Sequence, residues 1–147
     1  MSDFFNFFKS DPQQNQLEDD VNPVAMAAAV LLIEMARADF QQEDIENTAI
    51  VDLLKEYFSL NTEDAGNLFQ AAEKVADHSV SLHDFTRTLH ETLNPDAKNE
   101  IIEMLWRLAL VDDSLDRYED YLVRKIADLL YVSNSNVLRI KHDLLSK

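Results

Sequence analysis

The 147-residue sequence contains a single glycine, Gly66, and no cysteine. Loops that cradle phosphates and dinucleotide fingerprints need several glycines, because the backbone must approach the ligand closely and adopt positive φ angles. A chain without cysteine forms no disulfide and offers neither a thiolate metal ligand nor a thiol nucleophile. These nucleotide-binding loops and cysteine-based chemistry are therefore excluded. No segment alternates with the period of two that marks a β-strand.

Basic residues are also scarce. The sequence has 13 Lys and Arg but 28 Asp and Glu, so its net charge is -15. Such a surface repels nucleic-acid backbones and anionic membranes, so nucleic acid is not an expected partner. The charge is unevenly distributed, because residues 124–147 hold five bases against two acids. We therefore expect an acidic body with a mildly basic end.

Long apolar runs are missing. The longest, at residues 24–33, has ten residues, which is about half of a transmembrane helix. The first residues lack the basic region and long apolar stretch of a secretory signal peptide. We therefore expect a cytoplasmic protein that is not integral to a membrane.

Helix signals recur along the chain from residue 22 onward. Asparagine or serine residues stand where five helices are expected to begin, and two of the asparagines precede a proline. Apolar residues then recur at helical spacing, with the second helix predicted over 43–58 and the sixth over 115–131. We predict an all-α, seven-helix single domain over residues 22–147. Gly66, within the third helix, is expected to mark a close helix crossing. The predicted caps are Asn22, Asn61, Ser81, Asn94 and Ser133.

The dipeptide Asn22-Pro23 recurs as Asn94-Pro95, at an offset of 72 residues. This offset predicts two pseudo-repeated three-helix units, residues 22–77 and 94–147, joined by a bridging helix at 82–93. Each unit alone has too small a core, so the two are expected to pack as one domain.

Residues 1–21 differ in composition from the rest of the chain. Four phenylalanines precede a polar, acidic stretch without periodicity, which predicts an aromatic N-terminal arm and an acidic flexible linker. Each phenylalanine offers about 1.5–3 kcal/mol on burial. We therefore expect the arm to dock on its own domain, on a protein partner or peripherally on a membrane. The four residues are Phe4, Phe5, Phe7 and Phe8.

Two predicted turns share an acidic spacing. The second reads Val111-Asp112-Asp113-Ser114-Leu115 with Glu119 seven residues after Asp112, and the first places Glu46 seven residues after Asp39. The pattern resembles the repeated motif of the tellurite-resistance TerB family, in which Ala-Asp-Gly is followed by an aliphatic residue and a Glu. Both turns lack the Gly, and the first also lacks the aliphatic residue. The resemblance extends over residues 22–147. It implies a helical domain similar to the N-terminal domain of the co-chaperone DjlA, linked to tellurite stress or to chaperone and membrane-associated complexes.

The acidic turns have two interpretations. Their carboxylates can converge on a hard divalent cation such as Ca²⁺ or Mg²⁺, since the family pattern resembles the second half of an EF-hand loop. Alternatively, they cap helices and complement the helix dipole, which the missing glycines favour. The candidate metal ligands are Asp39, Glu46, Asp112, Asp113, Asp116 and Glu119.

No motif of nucleophilic catalysis is present, and we expect no enzymatic activity. The leading hypothesis is a TerB-like interaction module, linked to stress or tellurite resistance, that binds a protein partner through its acidic turns and aromatic arm. A cation-responsive domain is the alternative. A third hypothesis is a helical DNA-binding protein with residues 133–147 as its recognition helix. The oligomeric state stays open.

Overall fold

The computed structural model describes residues 22–37, 44–78, 81–111 and 117–146. These residues form seven α-helices and no strand, so the predicted all-α single domain is confirmed. The predicted arm and linker, and both acidic turns ahead of their glutamates, lie outside the described residues. The helices are α1 (Pro23–Ala36), α2 (Asp44–Phe58), α3 (Thr62–Ala76), α4 (Leu82–Thr92), α5 (Pro95–Ala109), α6 (Arg117–Leu129) and α7 (Asn134–Leu145).

All five predicted N-caps are confirmed. Each cap residue accepts a hydrogen bond from a backbone N–H of the first helical turn with its side-chain oxygen, over 2.7–3.2 Å. Such bonds satisfy N–H groups that have no partner within the helix. Short polar side chains therefore fix where α1, α3, α4, α5 and α7 begin.

Helix α1 lies at the centre of the domain and packs on α2, α3, α4, α5 and α6. Eleven of its 14 residues are buried, because other helices contact α1 on several sides and do not cover only one face of it. The alanines and aliphatic residues of α1 suit this enclosed position. Among the described residues, no helix is both long and apolar enough to cross a membrane.

Helices α2 and α6 end in the same way. Ser59 and Tyr131 adopt left-handed φ angles of 55° and 61°, and the next residue donates its N–H back to Lys55 at 3.1 Å or Ala127 at 2.9 Å. This is the Schellman arrangement of helix ends, and it stops α6 at Leu129, before the predicted Tyr131. The matching ends stand 72 residues apart, while the two-unit repeat itself stays a prediction.

The expectation for Gly66 is wrong. A Cβ atom added to this residue meets no other atom within 4 Å, so no helix crosses closely there. An isolated glycine within a helix shows only that the position tolerates the loss of a side chain. It does not show that a neighbour occupies the space.

Candidate functional site

The structure describes two of the predicted acidic site residues, Glu46 and Glu119. The remaining predicted site residues lie outside the described residues, so their arrangement around the glutamates stays a prediction. They are Asp39, Asp112, Asp113, Asp116, Phe4, Phe5, Phe7 and Phe8.

Glu46 and Glu119 hold the same place in their helices, as the third residue of α2 and of α6. Both are buried, with exposed fractions of 5% and 4%. A carboxylate is costly to remove from water unless it is partnered, and both residues have interaction partners. The third helical position is also where a glutamate can reach back to the residue that caps its helix. The two glutamates are therefore buried carboxylates in the first turns of α2 and α6.

Two neighbouring tyrosines face solvent on α6. Tyr118 and Tyr121 are each 58% exposed, whereas Val123 and Ile126 of the same helix are fully buried. Residues three apart are adjacent on a helix surface, so the tyrosines form one aromatic face directly after residues 112–116. Neither tyrosine is among the site residues predicted from the sequence. The helical period that places Val123 and Ile126 inside could have found them, because it leaves both tyrosines outside.

A polar cluster joins α2 to α5. Arg107 donates to both carboxylate oxygens of Glu56, at 2.8 and 3.1 Å, and to the Tyr57 hydroxyl at 3.1 Å. The Tyr57 hydroxyl in turn donates to Glu103. The hydrogen bond from Arg107 lowers the pKa of Glu56, while burial and the bond to Glu103 raise the pKa of Tyr57. The cluster holds the two helices together through paired charges.

A second contact joins α4 to α5 and to the end of α6. The Lys98 ammonium lies 2.6 Å from His90 Nδ1, and the rings of His90 and Tyr131 are 4.5 Å apart. Since an ammonium only donates, the imidazole nitrogen is the acceptor. Lys98 is 9% exposed, and burial lowers its pKa. This contact gives the buried Lys98 ammonium a hydrogen-bond partner across the junction of α4 and α5.

The bases of α7, which a DNA-recognition helix needs for its contacts, are engaged within the domain. Arg139 donates to Asn136 at 3.2 Å and lies 3.6 Å from Asp143. Lys141 Nζ lies 5.0 Å from the centre of the Trp106 ring and 3.6 Å from Asp120. These contacts do not favour the DNA-binding hypothesis.

A shallow groove of about 250 Å³ runs between α5 and α7. Four carboxylates and one arginine line it, so its wall is acidic. No group of three or more histidine or acidic side chains suited to a metal ion occurs within the described ranges. The lining residues are Asp96, Asn99, Glu100, Glu103, Arg139, Ile140 and Asp143.

Comparison with protein-family models gives a match over most of the chain. The family model described as "Tellurite resistance protein TerB" matches residues 25–142. This range includes both acidic turns and the α6 tyrosines but not the aromatic arm. Searches of curated proteins and of solved structures gave no match.

Proposed function

Because the chain belongs to the tellurite resistance protein TerB family, we propose that it is a non-enzymatic interaction module of that family, which binds a basic segment of a partner protein. Its binding surface, here called the tyrosine face, consists of Tyr118 and Tyr121 with the acidic residues Asp112, Asp113 and Asp116 just before them. The observation that carries this proposal is the exposure of two adjacent tyrosines directly after the acidic residues 112–116 of the sequence.

Tyrosine and carboxylate together suit a lysine- or arginine-rich partner. A tyrosine ring offers a large apolar surface and a hydroxyl group that can form a hydrogen bond, which is why tyrosine is enriched at protein interfaces. A cation placed over an exposed ring gains about 0.5–1 kcal/mol, and nearby carboxylates pair with it. The net charge of -15 steers basic segments toward the domain.

The aromatic arm is the second binding element of the proposed module. Phe4, Phe5, Phe7 and Phe8 supply apolar area that the tyrosine face lacks. The module is proposed to work in the cytoplasm, because a chain without cysteine does not depend on the disulfides that oxidising compartments support.

Comparative capture from an extract of the native cell tests the tyrosine face. The bait is the full chain, as wild type, as the Tyr118→Ala, Tyr121→Ala double variant, and as Tyr131→Ala. Tyr131 is 78% exposed but lies beyond the end of α6, so it controls for the loss of an exposed aromatic ring. Losing two interface tyrosines at 1 kcal/mol or more each weakens binding by about thirtyfold or more.

The proposal therefore expects a protein that wild type and Tyr131→Ala capture alike and that the double variant loses. Salt should weaken the capture, because the proposed contact includes exposed ion pairs. Equal capture by all three baits would contradict the tyrosine face as the binding surface.

A divalent-cation-responsive domain is the second candidate. The observation in its favour is the burial of Glu119 three residues after Asp116 and seven after Asp112, so that four carboxylates fall within eight residues. Calcium or magnesium would neutralise such a group. A rise of the melting temperature on adding either cation to the full chain, lost in Asp112→Asn, would support this candidate over the first.

A further inference from the structure

Exposed apolar side chains are concentrated in one part of the described structure. All five large hydrophobic residues exposed there fall between residues 118 and 145. Two of them, Leu138 and Leu145, are 37% and 59% exposed. With Lys141, they lie at positions i, i+3 and i+7 of α7 and so share one face of that helix.

This face of α7 borders α6. Arg124 of α6 donates to the Asn134 side chain of α7 at 3.2 Å, and Lys141 lies 3.6 Å from Asp120 of α6. These two contacts place the leucine-bearing face along the junction of the helices. Tyr121 lies three residues before Arg124 and so is its neighbour on the surface of α6. The exposed surface along this junction, here called the α6–α7 groove, comprises Tyr121, Arg124, Leu138, Lys141 and Leu145.

The groove is apolar and carries a positive charge. Asp120 is shared between Arg124, whose Nε lies 3.0 Å from it, and Lys141 at 3.6 Å. One carboxylate thus faces two cations, which leaves one positive charge in a protein whose net charge is -15. An acidic segment with exposed apolar side chains is the matching occupant.

We propose that the aromatic arm, residues 1–12, docks in the α6–α7 groove of its own domain. The arm brings four phenylalanines and carries two acids against one base, and three further acids follow in the linker at residues 18–20. Thirteen residues separate Phe8 from Asn22, and the fourteen steps between their Cα atoms reach about 46 Å when extended. A domain of this length is roughly 40 Å across, so the arm can reach the groove from the start of α1.

The docking uses only residues of this chain and so requires no partner, but a docked arm is withheld from the partner contact proposed for it above. Tyr121 borders both the groove and the tyrosine face, so a docked arm lies beside the surface that the partner would occupy. Four phenylalanines that are exposed in isolation would invite aggregation, and the groove shelters them.

Paired cysteines test the docking in the full chain, which has no cysteine of its own. The test variant carries Asn6→Cys in the arm and His142→Cys on α7, which leaves all four phenylalanines and both leucines in place. The control carries Asn6→Cys and Gln70→Cys. Gln70 is exposed on α3, which packs on α1 and α2 and lies apart from the groove.

Under mild oxidation, docking should make the test pair close within one molecule about tenfold faster than the control pair, because it raises the local concentration of the arm. Adding Phe4→Ser and Phe8→Ser should remove the difference. Melting of each reduced variant, followed through the buried Trp106, verifies that the domain is folded.

Equal closure rates in the two pairs would overturn the proposal. A disulfide-linked dimer as the main product would also overturn it, since the arm would then dock on a second copy. Equal rates combined with co-sedimentation on phosphatidylcholine vesicles would assign the arm to a membrane surface instead. None of these results depends on capture of a partner, so a failed docking and a failed tyrosine face are distinguishable.

Discussion

The indole N–H of Trp106 donates to the backbone carbonyl of Val137 across 3.1 Å and so joins α5 to α7. Trp106 has no exposed surface, and the Lys141 ammonium lies 5.0 Å from the centre of its ring. It is the only tryptophan of the chain. Its fluorescence therefore reports directly on the packing that supports the α6–α7 groove.

Trp106→Phe should destabilise the domain by about 2–3 kcal/mol. The substitution removes the hydrogen bond from the indole to the Val137 carbonyl and opens a cavity where the larger ring was packed. Urea unfolding followed by circular dichroism measures the change. Tyr131→Phe, at an exposed aromatic position, is the control and should stay within about 0.5 kcal/mol of wild type. Equal losses in the two variants would count against the Trp106 contact.

Glu56→Gln should lower stability only where Glu56 is ionised. Arg107 lowers the pKa of Glu56 from its ordinary value of 4.5, so the stabilisation is complete above pH 4.5 and is lost as the pH falls through the lowered value. The side chain is 58% exposed, which limits the effect at neutral pH to about 0.5–1 kcal/mol.

Unfolding curves of wild type and Glu56→Gln between pH 2 and pH 7 therefore converge at the acid end. Glu91→Gln, at an exposed position of α4, should follow wild type throughout. A deficit of Glu56→Gln that persists unchanged at pH 2 would show that the ion pair with Arg107 is not its source.

Removing the glycine at position 66 and introducing one at position 59 should each stabilise the domain. Gly66→Ala adds a methyl group where no atom lies within 4 Å, and alanine favours a helix by about 1 kcal/mol over glycine. Ser59→Gly relieves a residue held at a φ of 55°, where left-handed backbone costs about 1–2 kcal/mol. Both should raise the melting temperature. Ser135→Gly, within α7, should lower it, and a drop in either of the first two would contradict the local geometry.

Replacement of Asp112 separates helix capping from cation binding. Asparagine is a good cap but a poorer ligand for a hard cation, whereas alanine is neither. We expect Asp112→Asn to keep the stability of wild type and Asp112→Ala to lose about 1 kcal/mol. We also expect millimolar Ca²⁺ or Mg²⁺ to leave the melting temperature unchanged.

A cation site would behave differently. Binding only to the folded state stabilises it by about 2.7 kcal/mol at a hundredfold excess over the dissociation constant. Wild type would then respond strongly to the cation and Asp112→Asn would not. That result would support the cation-responsive domain and contradict simple capping.

Local rules predicted most of the fold. The five caps follow from short polar side chains at helix starts, and the central place of α1 follows from its ten-residue apolar run. The burial of Glu46 and Glu119 could not be predicted in this way, because a charged side chain at a helix start is usually solvated. Gly66 was misread because a glycine does not reveal what stands next to it.

The tyrosine face was missed for a related reason. Tyr118 and Tyr121 count as apolar in a search for a core, and only their angular position on α6 separates them from Val123 and Ile126. The left-handed angle of Tyr131 also lacks a local signal, since glycine is the usual residue there. Tertiary packing decides these features.

Amide chemical shifts show whether a basic partner binds the tyrosine face. Isotope-labelled full chain is titrated with the basic segment of the captured partner, and every amide signal is followed. We expect the largest shifts between residues 112 and 121, and we expect them to shrink in the Tyr118→Ala, Tyr121→Ala variant. Shifts centred on α3, or equally large in that variant, would contradict binding at the tyrosine face.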